Sequence, residues 1–267
     1  MNNKKINIVE NDKSGSIQIK KNLKHKLINA GFNVPDKFEI DAELLICIGG
    51  DGSLLSALSE YDFPDMPIVG INTGHLGFFQ ELDRNDIDEF IFKLQKGEYI
   101  EHEYTPVEAE IVTEDRVAHV RALNEIIIKG AYSHAAHLNI FIGKSFVEKF
   151  IGDGIVVSTA AGSTAYNYAL GGSIIDPRLN ILQVTPIAAI NSTAYRSFTS
   201  SILLPPNLKI NVFPDYPRTK EIIIAYDGLQ EEFKSIKEVH VGLAARNVKL
   251  LRFKEYDFWS TVKKKLL

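Results

Sequence analysis

The sequence predicts an α/β domain followed by a β-rich, all-β domain, on three observations. Over the first hundred residues, apolar runs of strand length alternate with stretches of helical periodicity, the pattern of a parallel sheet flanked by helices. One run, Leu44-Leu45-Ile46-Cys47-Ile48, passes into Gly49-Gly50-Asp51-Gly52-Ser53 and then Leu54-Leu55-Ser56-Ala57-Leu58, which reads as strand, glycine turn and helix. Beyond residue 100 the chain becomes a series of short strand-like stretches separated by turn residues. The expected boundaries are 1–100 for the α/β domain and 101–250 for the β-rich one, with 251–267 as a tail.

Each element has its own local signal. Residues 5–9 make the first strand. Ser14 or Ser16 is expected to cap a helix whose apolar stripe is Ile19, Leu23, Leu27 and Ala30 and which Gly31 ends. The strand at 44–48 and its glycine turn follow, then a strand at Pro67–Asn72, giving a Rossmann-like alternation. Ligands of such sheets gather beyond the carboxyl ends of the strands, where Gly49–Ser53 and Asn72–Phe78 both fall. Asn85 is the expected cap of a helix through Lys96, with Asp86, Asp88 and Glu89 in its first turns and Gly97 past its end. In the second half, strands are expected at 107–113, 116–123, 125–129, 138–142, 154–158, 182–186, 208–213, 221–226, 239–243 and 249–253.

Composition narrows the function classes. Thirty basic against thirty-four acidic residues give a net charge of −4, so no general nucleic-acid or anionic-membrane partner is expected and any phosphate site must be local. The single cysteine, Cys47, lies in an apolar run and excludes an intrachain disulfide. The Ile6–Val9 stretch is too short for a signal peptide, and no run approaches the roughly 18 apolar residues of a membrane helix. The expected location is the cytoplasm. His134 and His137 have no third ligand at a persuasive spacing, so no metal site is assigned.

Glycines at the 49–53 turn let backbone approach a bound anion, and the following helix offers unpaired amides and the positive end of its dipole. Phosphate is the natural ligand. Asp51 is the odd member, since a carboxylate beside a phosphate is repelled unless a metal ion, proton or hydroxyl intervenes; it points to phosphoryl chemistry rather than mere binding. The same stretch also suits a tight turn whose aspartate caps the helix. It resembles the signature shared by NAD kinases, diacylglycerol-type lipid kinases and, with serine following, phosphofructokinases.

The second half separates these. Gly152-Asp153-Gly154 leads through Ile155–Ser158 to Thr159-Ala160-Ala161-Gly162-Ser163-Thr164-Ala165-Tyr166, with Asn124-Glu125 before it and Asp227-Gly228 after it. In this order the motifs resemble NAD kinases specifically, over about residues 44–253. The residue types suit a nucleoside: small side chains at Gly162–Ala165 admit a planar base, Tyr166 offers a stacking face, Asn124 and Glu125 offer an amide and a carboxylate to a ribose diol, and Asp153 can accept from an adenine amino group. An ordinary glycine-started helix over 162–170 is the competing interpretation.

The resemblance implies a two-domain kinase with catalysis in the cleft between the domains and with 251–267 packing back on the first. It implies transfer of the γ-phosphoryl group of ATP, with Mg²⁺, to the 2′-hydroxyl of the adenosine ribose of NAD. Asp51 is implied as the catalytic base. The implied NAD contacts are Asp51, Gly52, Phe78, Asn124, Glu125 and Asp153, together with Thr164, Ala165, Tyr166, Ala169 and Asp227. The implied phosphate-donor loop is Gly49, Gly50, Gly52 and Ser53 with Gly74 and His75. A homodimer or homotetramer is implied as well, in which Ala188 and Tyr195 of a neighbouring subunit border the NAD site; Ile187–Ile190 is apolar and suits burial. Ala160, Asp176 and Leu229 depart from the family's usual proline, histidine and glutamine. A lipid kinase and a catalytically silent NAD-binding protein are the alternatives.

Overall fold

The computed structural model describes residues 4–11, 14–74, 77–132, 134–193, 196–216, 221–253 and 257–267. The chain forms two compact units, one of Met1–Tyr104 with Val248–Leu267 and one of Thr105–Asn247. Among the described residues no helix is long and apolar enough to cross a membrane.

The first unit runs β1 (Ile6–Glu10), α1 (Ser14–Asn29), β2 (Leu44–Ile48), α2 (Asp51–Glu60), β3 (Ile68–Asn72), β4 (Gln80–Asp83), α3 (Ile87–Lys96) and β5 (Ile100–Tyr104). β1, β2 and β3 pair in parallel, and β4 pairs in parallel with β3. Every residue of β2 and β3 is buried, as parallel strands covered on both faces require. Leu23 and Leu27 of α1 and Phe90 of α3 enter the same buried cluster as Ile46 and Ile71. Ser16 lies inside α1 rather than at its cap, and its hydroxyl donates to Asn11 Oδ1 at 2.6 Å. The cap of α3 is Asp86, not Asn85, because Asn85 is held in the preceding turn by its backbone and side-chain nitrogens, which both donate to Asp83 Oδ1.

The second unit holds β6 (Val107–Thr113), β7 (Val117–Ala122), β8 (Glu125–Gly130), β9 (Ala136–Ile142), β10 (Ser145–Gly152) and β11 (Gly154–Thr159). A 3₁₀ turn (Ala161–Thr164) and one turn of α-helix, α4 (Tyr166–Ala169), follow, in place of a continuous helix over 162–170. Then come β12 (Leu182–Ile187), β13 (Ile202–Leu204), β14 (Ile210–Pro214), β15 (Ile222–Tyr226), β16 (Leu229–Phe233) and β17 (Ile236–Leu243). They make two antiparallel sheets, ordered β10-β9-β14-β17-β6-β7 and β13-β12-β11-β8-β15-β16. Alternate residues of both sheets, including Ile111, Val241, Ile126 and Val157, meet in one buried cluster.

The chain then supplies β18 (Val248–Arg252) and α5 (Phe258–Leu266) to the first unit. β18 pairs in parallel with β3 and antiparallel with β5, so the first unit extends through Tyr104. Five strands are absent from the sequence reading: β5, β10, β13 and β16, which end the strand order of their sheets, and the short β4, which pairs with β3. Ile187 is buried, the chain turns at Ala188, which is exposed with φ +45°, Ala189 is half-buried against the core of the second unit, and Ile190 is 46% exposed.

Candidate functional site

In the first unit the glycine turn is fixed from both sides. Gly49 N–H donates to Ile71 O at 2.9 Å, tying the end of β2 to β3. Gly50, in extended conformation, is the N-cap of α2, and Gly52 and Ser53 lie in its first turn, where the Ser53 amide closes onto Gly50 O at 3.0 Å. Ser53 Oγ accepts from Asn11 Nδ2 at 3.1 Å. A cavity of about 600 Å³ lies beside this turn, lined by Asn11, Gly50, Gly52, Ser53, Ser56 and Glu60 among others.

Asp51 does not cap α2. It is the first residue of the helix, and its carboxylate instead spans to the segment after β3: Phe78 N–H donates to Oδ2 at 2.8 Å and Phe79 N–H to Oδ1 at 3.0 Å. Each oxygen keeps lone-pair capacity beyond these bonds. Gly77 makes the approach possible, since a Cβ there would stand 1.9 Å from Oδ1. Sequence reasoning passed over Gly77, although it belongs to the stretch Asn72–Phe78; its signal is a glycine one residue from a segment that must touch a motif carboxylate. Asn72 is buried and forms a turn with Gly74, donating to its carbonyl at 2.7 Å and accepting from its amide at 3.0 Å. The Phe78 ring lies 6.1 Å from that of Phe258, with Lys265 Nζ 5.3 Å from its centroid. His75 lies outside the described residues, as does Tyr195.

In the second unit the motifs at 124–125, 159–166 and 227 converge at one end of the β11-β8-β15 sheet. Ser158 pairs with Glu125 and Tyr226 with Ile126. Asp227 sits at φ +44° in the tight turn between β15 and β16, and its two oxygens accept from Leu123 N–H at 2.6 Å and Asn124 N–H at 2.8 Å. Its work is to hold the Asn124-Glu125 turn. Thr159 ties the same turn to β11, its N–H donating to Asn124 O at 2.9 Å and its hydroxyl to Leu123 O at 2.7 Å. Gly162 packs on Asn124, where a Cβ would stand 2.1 Å from the Asn124 carbonyl oxygen.

This scaffold leaves two adjacent polar groups unspent. Asn124 Oδ1 and Glu125 Oε2 are buried and have no hydrogen-bond partner among the described residues. Burial pushes the Glu125 carboxyl up to about 8, with the neighbouring Asp227 charge adding to it. Asp227 is raised to about 6 by burial, against the amide bonds that favour its charged form. Buried polar atoms are otherwise nearly always paired, so an orphaned amide oxygen next to an orphaned carboxyl oxygen marks a place for ligand hydrogen bonds.

The remaining residues of the sequence-derived set line up around this turn in sequence but differ in exposure. Tyr166 is 42% exposed, Thr164 and Ala165 are half-buried, and Asp153, Ala169 and Ala188 are exposed. Asp153 keeps its carboxylate at the surface while its backbone bonds Ile187 O and Gly130 N. Tyr226 is half-buried, its hydroxyl donating to Glu231 at 2.6 Å.

Comparison with known proteins assigns a family to both halves. The model for the ATP-NAD kinase N-terminal domain matches residues 10–99, and that for the ATP-NAD kinase C-terminal domain matches residues 123–253. The NAD kinase of Finegoldia magna is 37% identical over 271 residues, spanning 100% of this chain and 99% of the relative. The NAD kinase of Latilactobacillus sakei is 32% identical over 262 residues, covering 97% of this chain and 96% of its own. Among solved structures, yeast NADH kinase complexed with NADH shares the fold at a TM-score of 0.83 and 19% identity, covering 99% of this chain and 87% of that one. An NAD kinase from Archaeoglobus fulgidus in complex with ATP has a TM-score of 0.77 at 22% identity, covering 98% of each chain.

Proposed function

The chain belongs to the ATP-NAD kinase family and is a kinase acting on NAD, and we propose that it moves the γ-phosphoryl group of MgATP to the 2′-hydroxyl of the adenosine ribose of NAD, in the cytoplasm. The observation that carries the acceptor assignment is the orphaned pair Asn124 Oδ1 and Glu125 Oε2: a ribose diol supplies donors and acceptors to both. Tyr166, with Thr164 and Ala165, takes the adenine face, and Asp153 its amino group. The magnesium ion is taken to arrive with the donor as MgATP.

Phosphoryl transfer is mainly positioning and charge neutralisation. The start of α2, with Gly49, Gly50, Gly52 and Ser53, offers the Gly50 and Gly52 amides and the Ser53 hydroxyl to the donor phosphates, while the Gly49 and Ser53 amides stay on Ile71 O and Gly50 O; Gly74 and His75 complete that loop. Asp51, aimed by the Phe78 and Phe79 amides, accepts the proton of the attacking 2′-hydroxyl as the oxygen bonds to phosphorus and the bond to the ADP leaving group breaks. Incubation with MgATP and NAD, followed by chromatographic detection of NADP, tests the assignment. Product from a lipid acceptor in micelles, with none from NAD, would overturn it in favour of a lipid kinase.

Asn124→Ala weakens NAD use by about 1–3 kcal/mol in kcat/KM, because it deletes a partner for a buried ribose hydroxyl; unchanged kcat/KM would remove the ribose assignment. The exposed Ala188 and Ile190 support a homodimer or homotetramer in which this segment and Tyr195 border a neighbour's NAD site. Light scattering should then give a multiple of the 29.9 kDa chain mass, and a monomer at assay concentration would exclude the arrangement.

A further inference from the structure

Arg252 is a lone charge in the apolar run Leu250-Leu251-Arg252-Phe253, and it is fully buried at the end of β18. Its Nη1 pairs with Glu81 Oε2 at 3.0 Å, and the Glu81 side chain is itself 5% exposed. A buried pair of this kind costs desolvation and is weak grounds for stability by itself. The guanidinium also reaches one short stretch of backbone: Nη2 donates to Phe78 O at 2.9 Å and lies 3.4 Å from the Tyr104 hydroxyl, and Nη1 lies 3.4 Å from both Phe79 O and Gln80 O. Glu81 Oε1 also accepts from Phe253 N–H at 2.8 Å, so residues 78–81 are bound along their length to the end of β18.

That stretch is the one that aims Asp51. The peptide joining Phe78 to Phe79 gives its C=O to Arg252 and its N–H to Asp51 Oδ1, so cation, peptide dipole and carboxylate lie in series. Hydrogen bonds in such a chain polarise one another, and each end restrains the other. We infer that Arg252 is a positioning residue for Asp51, acting through the Phe78–Phe79 peptide. The role rests on the reading of Asp51 as the base. It also gives the return of the chain into the first unit a chemical consequence, because β18 brings the cation that completes the clamp. Misplacement of a reacting group by about 1 Å can cost about 10²-fold in rate, so loss of the clamp is read in kcat rather than in NAD affinity.

The test uses the full-length enzyme with MgATP and NAD. Arg252→Lys keeps a cation beside Glu81, but a single ammonium cannot serve the carboxylate and three carbonyls in the planar geometry of a guanidinium. The expected result is a fall in kcat of about 10-fold or more with the calorimetric Kd for NAD within about 2-fold of the parent. The pair Arg252→Met with Glu81→Leu removes both charges and leaves neither buried alone; it is expected to fold, by circular dichroism, and to show the same loss in kcat. In a double-mutant cycle, Asp51→Asn with Arg252→Lys should turn over no more slowly than Asp51→Asn alone, to within about 2-fold. Full kcat in either folded Arg252 variant, or additive losses in the cycle, would overturn the inference. Full kcat in Asp51→Asn alone would show instead that the reading of Asp51 has failed.

Discussion

Asp51→Asn lowers kcat by at least about 10²-fold while NAD still binds, because general-base assistance of that order is lost with the carboxylate. The amide keeps the size of the side chain but cannot take the hydroxyl proton. If Asp51 were only a helix cap, asparagine would replace it without loss, being an equally good cap. Its geometry is different: Gly50 holds the cap position, and both Asp51 oxygens accept amides from Phe78 and Phe79. Asparagine can offer only one oxygen to the two amides, so its NH₂ group faces a donor and about 1–3 kcal/mol of local stability is lost as well. Thermal unfolding, steady-state kinetics and calorimetric NAD binding on the same variant separate these effects. Near-normal kcat would remove Asp51 from the mechanism, and loss of binding together with turnover would make it a ligand-positioning residue.

Glu125→Gln stabilises the ligand-free protein at high pH, by an amount on the order of 2–4 kcal/mol near pH 9. The sign follows from proton binding. Burial raises the folded carboxyl from 4.5 to about 8, so between those values the folded state holds a proton that the unfolded chain has released. This stabilising difference is fully present below about pH 4.5 and is lost as pH rises through 8. Asp227, raised from 3.8 to about 6, contributes in the same direction over its own lower range. Glutamine does not titrate, so the variant and the parent should be similar near pH 4.5, diverge progressively between about pH 4.5 and 8, and differ by a constant amount above that. Urea unfolding at pH 5, 7 and 9 measures the difference; parallel pH profiles would show that Glu125 does not carry the buried proton.

Much of the fold was legible because its central elements are apolar in a simple period. β2 and β3 are buried along their whole length and read as uninterrupted apolar runs, and β6, β8, β11 and β17 alternate or run apolar toward one core. The edge strands β5 and β16 were not legible for the converse reason. β16 is Leu-Gln-Glu-Glu-Phe with only Phe233 buried, and β5 is Ile-Glu-His-Glu-Tyr with only Tyr104 buried, so water on the outer side leaves no hydrophobic pattern to find. The same holds at Asp86, where the choice of cap was made by a local turn at Asp83 that no propensity of Asn85 reveals.

The sequence by itself determined the α/β and β-rich halves, the glycine turn that opens α2, and the residue types offered to a phosphate and a nucleoside, since these depend on periodicity and on chemistry within a few neighbours. Tertiary structure alone decided what each of those residues does. It turned Asp51 from a plausible cap into a carboxylate aimed by two amides, and it committed Asp227 to the backbone of Leu123 and Asn124. Among the described residues it left Asn124 Oδ1 and Glu125 Oε2 without partners in a buried turn, and it carried Arg252 back from the far end of the chain to the peptide that holds Asp51. Those outcomes rest on hydrogen bonds between segments distant in sequence. Their directions and desolvation exist only once the strands that carry them have packed.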